Sequence, residues 1–429
     1  MQTIYGKEIK RSDIEIMAPV GCYESLAAAI QAGANSVYFG IENLNMRAHS
    51  AKNFTIADLR RIVGICKEHG LKSYLTVNTI VYDNELDLMH RIIDAAAEAE
   101  LTAVIASDLS VLQYARSRGV EVHASTQLNI TNIEAVRFFA QFCDVMVTAR
   151  ELNLDQVAAI VCAICEQNIR GPHGNLVQIE VFAHGALCVA VSGKCYMSLH
   201  QYGRSANRGA CYQTCRRGYE VTDCETGQQL LIDDKYIMSP KDLCTLPFLD
   251  RVLRAGVSVL KIEGRARGAE YVKTVVDCYN RAIDEICAGT YTQATIDALT
   301  NRLRTVFNRG FWDGYYLGRK LGEWSGVYGS KATKRKEYVG KCTKYFTKLG
   351  VGEFLIENED LHRGDKILVT GTTTGALIQH VDELHGDDGP IESATRGMLV
   401  AVKVDERVRP NDKLYVLQSR VLSLDNEEF

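Results

Sequence analysis

Four cysteines, Cys188, Cys195, Cys211 and Cys215, fall within 28 residues and are separated by six, fifteen and three residues. The stretch that holds them opens as a β-like run at residues 179–183 and then turns to Gly, Ser, Asn and Arg. Structural cysteines scatter along apolar faces, whereas these sit beside turn residues, so packing does not explain them. Four thiols suit disulfides, a zinc site or an iron–sulfur cluster. Nothing in the chain reads as secreted, which disfavours disulfides. Zinc pairs usually lie two to four residues apart; Cys211 and Cys215 fit loosely, Cys188 and Cys195 do not. Cubane clusters accept irregular spacing. Spacing alone leaves cluster and zinc open.

Other residues carry candidate chemistry. The run V-L-K-I-E-G-R-A-R, residues 259–267, places Lys261, Glu263, Arg265 and Arg267 at a predicted strand end. Arg forks suit a carboxylate or phosphate; the alternative is an Arg–Glu ion pair that closes the strand end. His184, four residues before Cys188, is placed to donate to a cluster sulfur or a substrate. His184, Glu263 and Arg265 are therefore the candidate catalytic residues. Arg204, Arg208, Arg216 and Arg217 in the cysteine loop, with Lys334, Arg335 and Lys336 further on, are candidate phosphate contacts. Cys162 and Cys165 form C-A-I-C inside a helical pattern, away from a helix start, and read as core. Cys244 is the reserve ligand if Cys215 fails. The chain has no H-E-x-x-H motif and no evident Ser-His-Asp spacing.

Positioning these residues falls to an alternating pattern of strands and helices. Apolar, β-rich runs at 15–18, 36–39, 73–77, 103–106, 121–124, 145–148, 178–183 and 257–262 alternate with amphipathic stretches such as 57–68 and 86–97. Eight such repeats predict an α/β fold, a TIM-like (β/α)8 barrel, with an open doubly wound sheet as the alternative. No G-x-G-x-x-G follows the first strand, which weakens the dinucleotide-binding version. Predicted strand ends carry Pro19, Gly40, Asn78, Asp108, Gln127, Arg150, His184, Glu263 and Arg265. The four-cysteine loop follows strand seven and so belongs over the same mouth. Residues 1–290 are read as the barrel and 291–336 as a helical and aromatic connector ending in a basic linker. Residues 337–429 alternate between turns as a small C-terminal β-barrel.

The whole chain sets bounds. Its 429 residues are 46% hydrophobic and 24% charged, ordinary for a globular protein, with a net charge of −4. Any nucleic-acid site is therefore a local patch. The first residues lack an apolar signal region, and no run approaches a membrane span. The reading is cytoplasmic, with no membrane partner. Fourteen cysteines in a reducing compartment then argue for thiols and metal.

The motif E-x-F-x-x-G-A-L-C-x-x-x-x-G-x-C-x-M-S at 180–198 resembles the signature of the peptidase U32 family. So do N-R-G-A-C-x-x-x-C-R-R at 207–217, K-I-E-G-R at 261–265, and the terminal β domain. The resemblance implies an oxygen-sensitive [4Fe-4S] cluster on Cys188, Cys195, Cys211 and Cys215. Members of about this length with one terminal barrel resemble tRNA hydroxylation proteins. These make 5-hydroxyuridine at the wobble position, independently of oxygen and with prephenate as a required metabolite. The implied partners are tRNA, a small carboxylate metabolite, and an electron donor or cluster-loading proteins. The alternatives are a collagenase-like protease and hydroxylation of 23S rRNA cytidine or a ubiquinone precursor.

Overall fold

Eight apolar runs form parallel strands: β1 (Glu15–Pro19), β2 (Ser36–Phe39), β3 (Lys72–Val77), β4 (Ala103–Ala106), β5 (Glu121–Ala124), β6 (Val145–Val147), β7 (Gln178–Gly185) and β8 (Val259–Ile262). Each pairs with the next, and β8 also pairs with β1, which closes the sheet into a barrel. This computed structural model describes residues 2–420 apart from 49–52, 220, 223, 228, 231–237, 319–321 and 328.

Strand alternation sorts the side chains. Met17, Tyr38, Tyr74, Ala103, Ile105, Val145 and Val259 fill the lumen. Their neighbours Ile16, Ala18, Val37, Phe39, Val104 and Leu260 belong to the main hydrophobic core, with apolar residues of the surrounding helices. Those helices begin with α1 (Tyr23–Gln31), α2 (Ile56–Glu68), α3 (Leu86–Glu98) and α4 (Leu109–Ser117); α5 (Ile133–Phe139) and α6 (Leu154–Glu166) follow. Their starts are capped locally. The Asp108 carboxylate accepts from the Ser110 amide at 2.9 Å, as its place before Leu109 predicts.

The β7-to-β8 connection departs from the repeat. It holds the helix Met197–Tyr202 and a strand, Asp242–Cys244, that runs antiparallel to the end of β7. Phe311–Trp312 then pairs with Asp242–Cys244, and Tyr316 donates to the Phe182 carbonyl at 2.9 Å. The aromatic run read as a connector thus packs on the barrel.

The C-terminal domain is an eight-stranded antiparallel sheet that curls around its own core of Val339, Phe354, Ile367, Leu377, Leu384, Val400 and Leu414. Its first strand, Lys334–Phe346, begins inside the stretch read as a basic linker. Lys334, Arg335 and Lys336 stand opposite Ser419, Gln418 and Leu417 in the ladder, so the run is strand. Charged side chains there mask the strand in the sequence. Among the described residues no helix is long and apolar enough to cross a membrane.

The C-terminal domain docks on α1 and on the helix Ala269–Ala288. Gln31 donates to the Thr374 carbonyl at 2.8 Å and accepts from the Ala376 amide at 3.2 Å, while Lys273 donates to the Ala376 carbonyl at 2.7 Å. Between them Gly375 has φ +67°, and a Cβ there would stand 2.4 Å from the Gln31 amide oxygen. Gly375→Ala should cost about 1–3 kcal/mol and lower the thermal midpoint in calorimetry. In a Gln31→Ala background that clash is gone, so the two changes should be less than additive.

Candidate active site at the barrel mouth

The C-terminal ends of the barrel strands and the cysteine loop enclose one cavity of about 230 Å³. That is below the ~300–1,000 Å³ usual for drug-sized ligands, so it takes a ring-sized group and not a folded partner. Cys188, Cys195, Cys211 and Cys215 all line it. So do Arg47, Arg150, Arg216, Lys261, Arg265, Arg267 and Arg309, against only two acids, Asp242 and Glu263.

Glu263 lies at the centre. Arg47 Nη2 meets its Oε1 at 2.6 Å and Tyr38 donates to Oε2 at 3.2 Å. Burial alone raises the carboxyl pKa, but Arg47, Arg150 and Arg265 outweigh it and hold it at about 2. Arg265 is buried and donates to Asn45 Oδ1 at 3.1 Å and Thr76 Oγ1 at 2.9 Å, both neutral. Burial lowers its pKa to about 10. Gly40 makes the close approach possible, since a Cβ there would stand 2.3 Å from Arg265 Nη1. Lys261 pairs with Glu180 at 2.7 Å, fully inside the barrel. Arg309 pairs with Asp242 at 3.3 Å.

Arg150, Arg216, Arg265 and Arg267 make no ion pair among the described residues. Arg150 lies over the Phe182 ring at 3.8 Å and Arg267 over Phe307 at 3.4 Å. Burial lowers the pKa values of Arg216 and Arg267, and the neighbouring charge of Arg309 adds to it. Such a surplus of half-desolvated guanidinium groups is relieved by an anion.

The four loop thiols are free. Burial pushes Cys215 up to about 11; Arg216 opposes the rise, and Cys188, Cys211 and Cys195 add to it. The thiols therefore share one neighbourhood, and the donor chemistry fits a thiolate-bound centre. Among the described residues, no three His, Cys, Asp or Glu side chains stand at the spacing of a bound metal ion.

The other predicted residues divide. Of the strand-end ring, Asn78, Gln127, Arg150, Glu263 and Arg265 line the cavity; Pro19, Gly40, Asp108 and His184 do not. His184 is buried among the rings of Tyr271, Tyr279 and Phe311, with Nδ1 unpartnered. Burial drops its pKa to about 3, so it is a neutral packing residue. Cys244 stands opposite His184 in the ladder and is buried, whereas Cys215 is in the cavity wall. Arg216 turns inward and donates to the Leu187 carbonyl at 2.6 Å and Ser239 at 3.1 Å, so it braces the loop. Arg208 pairs with Glu85 at 2.7 Å and lies over Tyr82. Arg204 and Arg217 are exposed. Lys336 meets Glu270 at 2.7 Å, in the first turn of the helix after β8, and Arg335 meets Glu337 at 3.0 Å. Lys334 is half-buried. Cys162 and Cys165 lie outside the core, because Val157, Val161 and Ile164 supply the buried stripe of α6.

The model of peptidase family U32 matches residues 21–326. This chain belongs to peptidase family U32. It is 59% identical to a protein named collagenase from Porphyromonas gingivalis, over 95% of this chain and 99% of that one. It is 28% identical to tRNA hydroxylation protein P1 of Bacillus subtilis, over 96% of each. It is also 36% identical to the 23S rRNA 5-hydroxycytidine C2501 synthase of Escherichia coli, over 72% of this chain and 46% of that protein.

Residue-by-residue reading of this U32 chain missed Arg47, Tyr38 and Asp242. Arg47 follows β2 in a loop with no strand or motif to mark it, and only its place after a barrel strand could have flagged it. Arg47→Ala should strand the Glu263 charge, raise that carboxyl from about 2, and cost about 3 kcal/mol at neutral pH. A depressed carboxyl stabilises above its ordinary value of 4.5 and loses that contribution as pH falls toward its folded value. The stability gap between wild type and variant should therefore be full above pH 4.5 and narrow below it, as read from urea midpoints across that range.

Proposed function

We propose that this protein hydroxylates a pyrimidine of RNA, with tRNA wobble uridine as the substrate and 5-hydroxyuridine as the product. The carrying observation is the convergence of four free thiols and seven cations on one ring-sized cavity at the barrel mouth. The names borne by the Bacillus and Escherichia relatives support the same class of reaction. Replacing a pyrimidine C–H by C–OH removes two electrons, and side chains alone do not carry such redox chemistry. A [4Fe-4S] cluster on Cys188, Cys195, Cys211 and Cys215 would supply electron transfer beside the base. The two electrons that leave the base require an electron acceptor as partner, beside cluster-loading proteins, and free thiols suit the cytoplasm.

The chain's own residues then have separable roles. Arg265, Arg267 and Arg150 hold a small carboxylate such as prephenate, since Arg265 is buried, Arg267 and Arg150 are half-buried, and none has a carboxylate ion-pair partner among the described residues. Arg47 keeps Glu263 ionised, so Glu263 accepts a hydrogen bond from the ligand or base and does not act as an acid at neutral pH. The cysteine loop covers the cavity and limits water.

The collagenase-named relative favours a second reading, a peptidase. No histidine is among the residues lining the cavity, so a Ser-His or Cys-His nucleophile is not formed there.

Protein purified without oxygen should be brown and carry about four irons per chain, and Cys188→Ser should bleach it. Deleting the gene should remove 5-hydroxyuridine derivatives from total tRNA digests in mass spectrometry. Cys188→Ser should reproduce that loss. Arg265→Ala should weaken the carboxylate by roughly 10- to 150-fold and lower the modification partially. Unchanged tRNA nucleosides with metal-independent proteolysis by the pure protein would replace this reading with the peptidase one.

A further inference from the structure

The outer face of the cysteine loop carries a feature that the cavity does not use. Tyr196, Tyr202 and Tyr212 are exposed by 73%, 44% and 50%. Rings of this size on a loop with no core to enter leave much apolar area in water. Tyr196 directly follows Cys195, and Tyr212 directly follows Cys211, so the rings are mounted on the backbone that forms the cavity wall. The Tyr202 and Tyr212 centroids are 5.2 Å apart. Arg217 donates to the Tyr202 hydroxyl at 2.6 Å and lies over its ring. Across the mouth, Tyr82 is 55% exposed beneath Arg208.

The charge of this face is one-sided. Between Val181 and Tyr219 the sequence has no Asp or Glu, and Arg204 and Arg217 are exposed there, whereas Arg208 is paired with Glu85 and Arg216 turns inward. The chain as a whole is net acidic, whereas this segment carries cations and no acid. A partner must offer flat π-faces and negative charge together. An apolar protein surface lacks the charge, and an A-form duplex hides its base faces in the stack. Unpaired nucleotides have both.

We propose that Tyr196, Tyr202 and Tyr212, flanked by Arg204 and Arg217, form a stacking platform for unpaired bases on either side of the base that enters the cavity. This rests on the RNA reading of the site. Stacking on either side of an extruded base compensates for the stacking lost when that base leaves its neighbours. The rings read no sequence, because every base has a π-face, so the choice of base falls to the cavity.

The test is fluorescence-anisotropy binding by the full-length, anaerobically purified protein. The probes are a short RNA stem-loop and a blunt RNA duplex of equal length. Wild type should prefer the stem-loop. Tyr202→Ala and Tyr212→Ala should each weaken stem-loop binding by about 5- to 150-fold and leave duplex binding and the salt slope unchanged. Tyr202→Phe and Tyr212→Phe should keep the affinity and also control for folding. Arg204→Gln with Arg217→Gln should flatten the salt slope by about 1–2. The platform is overturned if the alanine variants bind the stem-loop as wild type does, if stem-loop and duplex lose affinity equally, or if wild type binds neither RNA but binds anionic vesicles or self-associates. Binding that follows these expectations while tRNA nucleosides are unchanged by gene deletion would sink the hydroxylation reading and leave the platform standing.

Discussion

The barrel closes across the seam between β7 and β8, and one buried ion pair spans it: Glu180 and Lys261, 2.7 Å apart. Between those strands, before the helix Leu249–Arg254 restores the repeat, the chain makes an excursion that contains all four loop cysteines. Loop-closure entropy rises only with the logarithm of length, so a long insertion at this seam costs little more than a short one. The seam itself must be well determined. β8 holds register with β1 and β7 at once, and the ion pair has its partners inside the lumen, where a slipped strand would bury an unpaired charge. A firm seam under a long insertion lets the cysteine loop arch over the mouth without loosening the barrel.

The same seam sets the electrostatics. Lys261 is neutralised below by Glu180, and β8 then continues into Glu263, Arg265 and Arg267 at the rim. Arg47 from the β2 loop and Arg309 from the segment after the last barrel helix add to them. The cations therefore come from separate parts of the chain, and the imbalance of seven against two exists only after folding. Each desolvated guanidinium without a carboxylate partner lowers stability, and the loss is recovered when an anion binds. A site built this way trades stability of the empty protein for affinity toward a negatively charged ligand.

Much of this was legible beforehand. The eight barrel strands could be placed because each is a short β-branched or apolar run between polar breaks, and their observed bounds differ by at most two residues from those expected. The cysteine loop was legible because turn residues and thiols coincide. Three things were not. Arg47 reaches the cavity from a loop, and Asp242 from a three-residue strand in the β7-to-β8 connection, and no local pattern encodes either path. Lys334, Arg335 and Lys336 look like a linker because a strand with charged faces loses its apolar alternation. His184 sits at a strand end, as expected, but its ring turns into the aromatic packing behind the mouth; strand position does not tell which way the last residue faces when the strand extends to Gly185 and a bulge intervenes opposite Ile262.

That bulge bears on the chemistry. The register of β8 on β7 shifts between Lys261 and Ile262, so Ile262 meets His184 and not Ala183. A shift of one residue reverses which side chains face inward. Lys261 and Glu263, two residues apart on β8, share the lumen face by ordinary strand alternation, so Glu263 reaches Arg47 and Tyr38 at the rim. The shift leaves His184 with the outward face, among Tyr271, Tyr279 and Phe311. The mouth therefore has a carboxylate held ionised and a set of fixed cations, with its nearest strand-end imidazole removed to the packing layer. General acid–base catalysis at neutral pH favours a group that titrates there, and neither Glu263, held at about 2, nor His184, held at about 3, does so. The residues of this mouth are arranged to bind and orient charge, and the strand-end groups closest to it do not titrate at neutral pH.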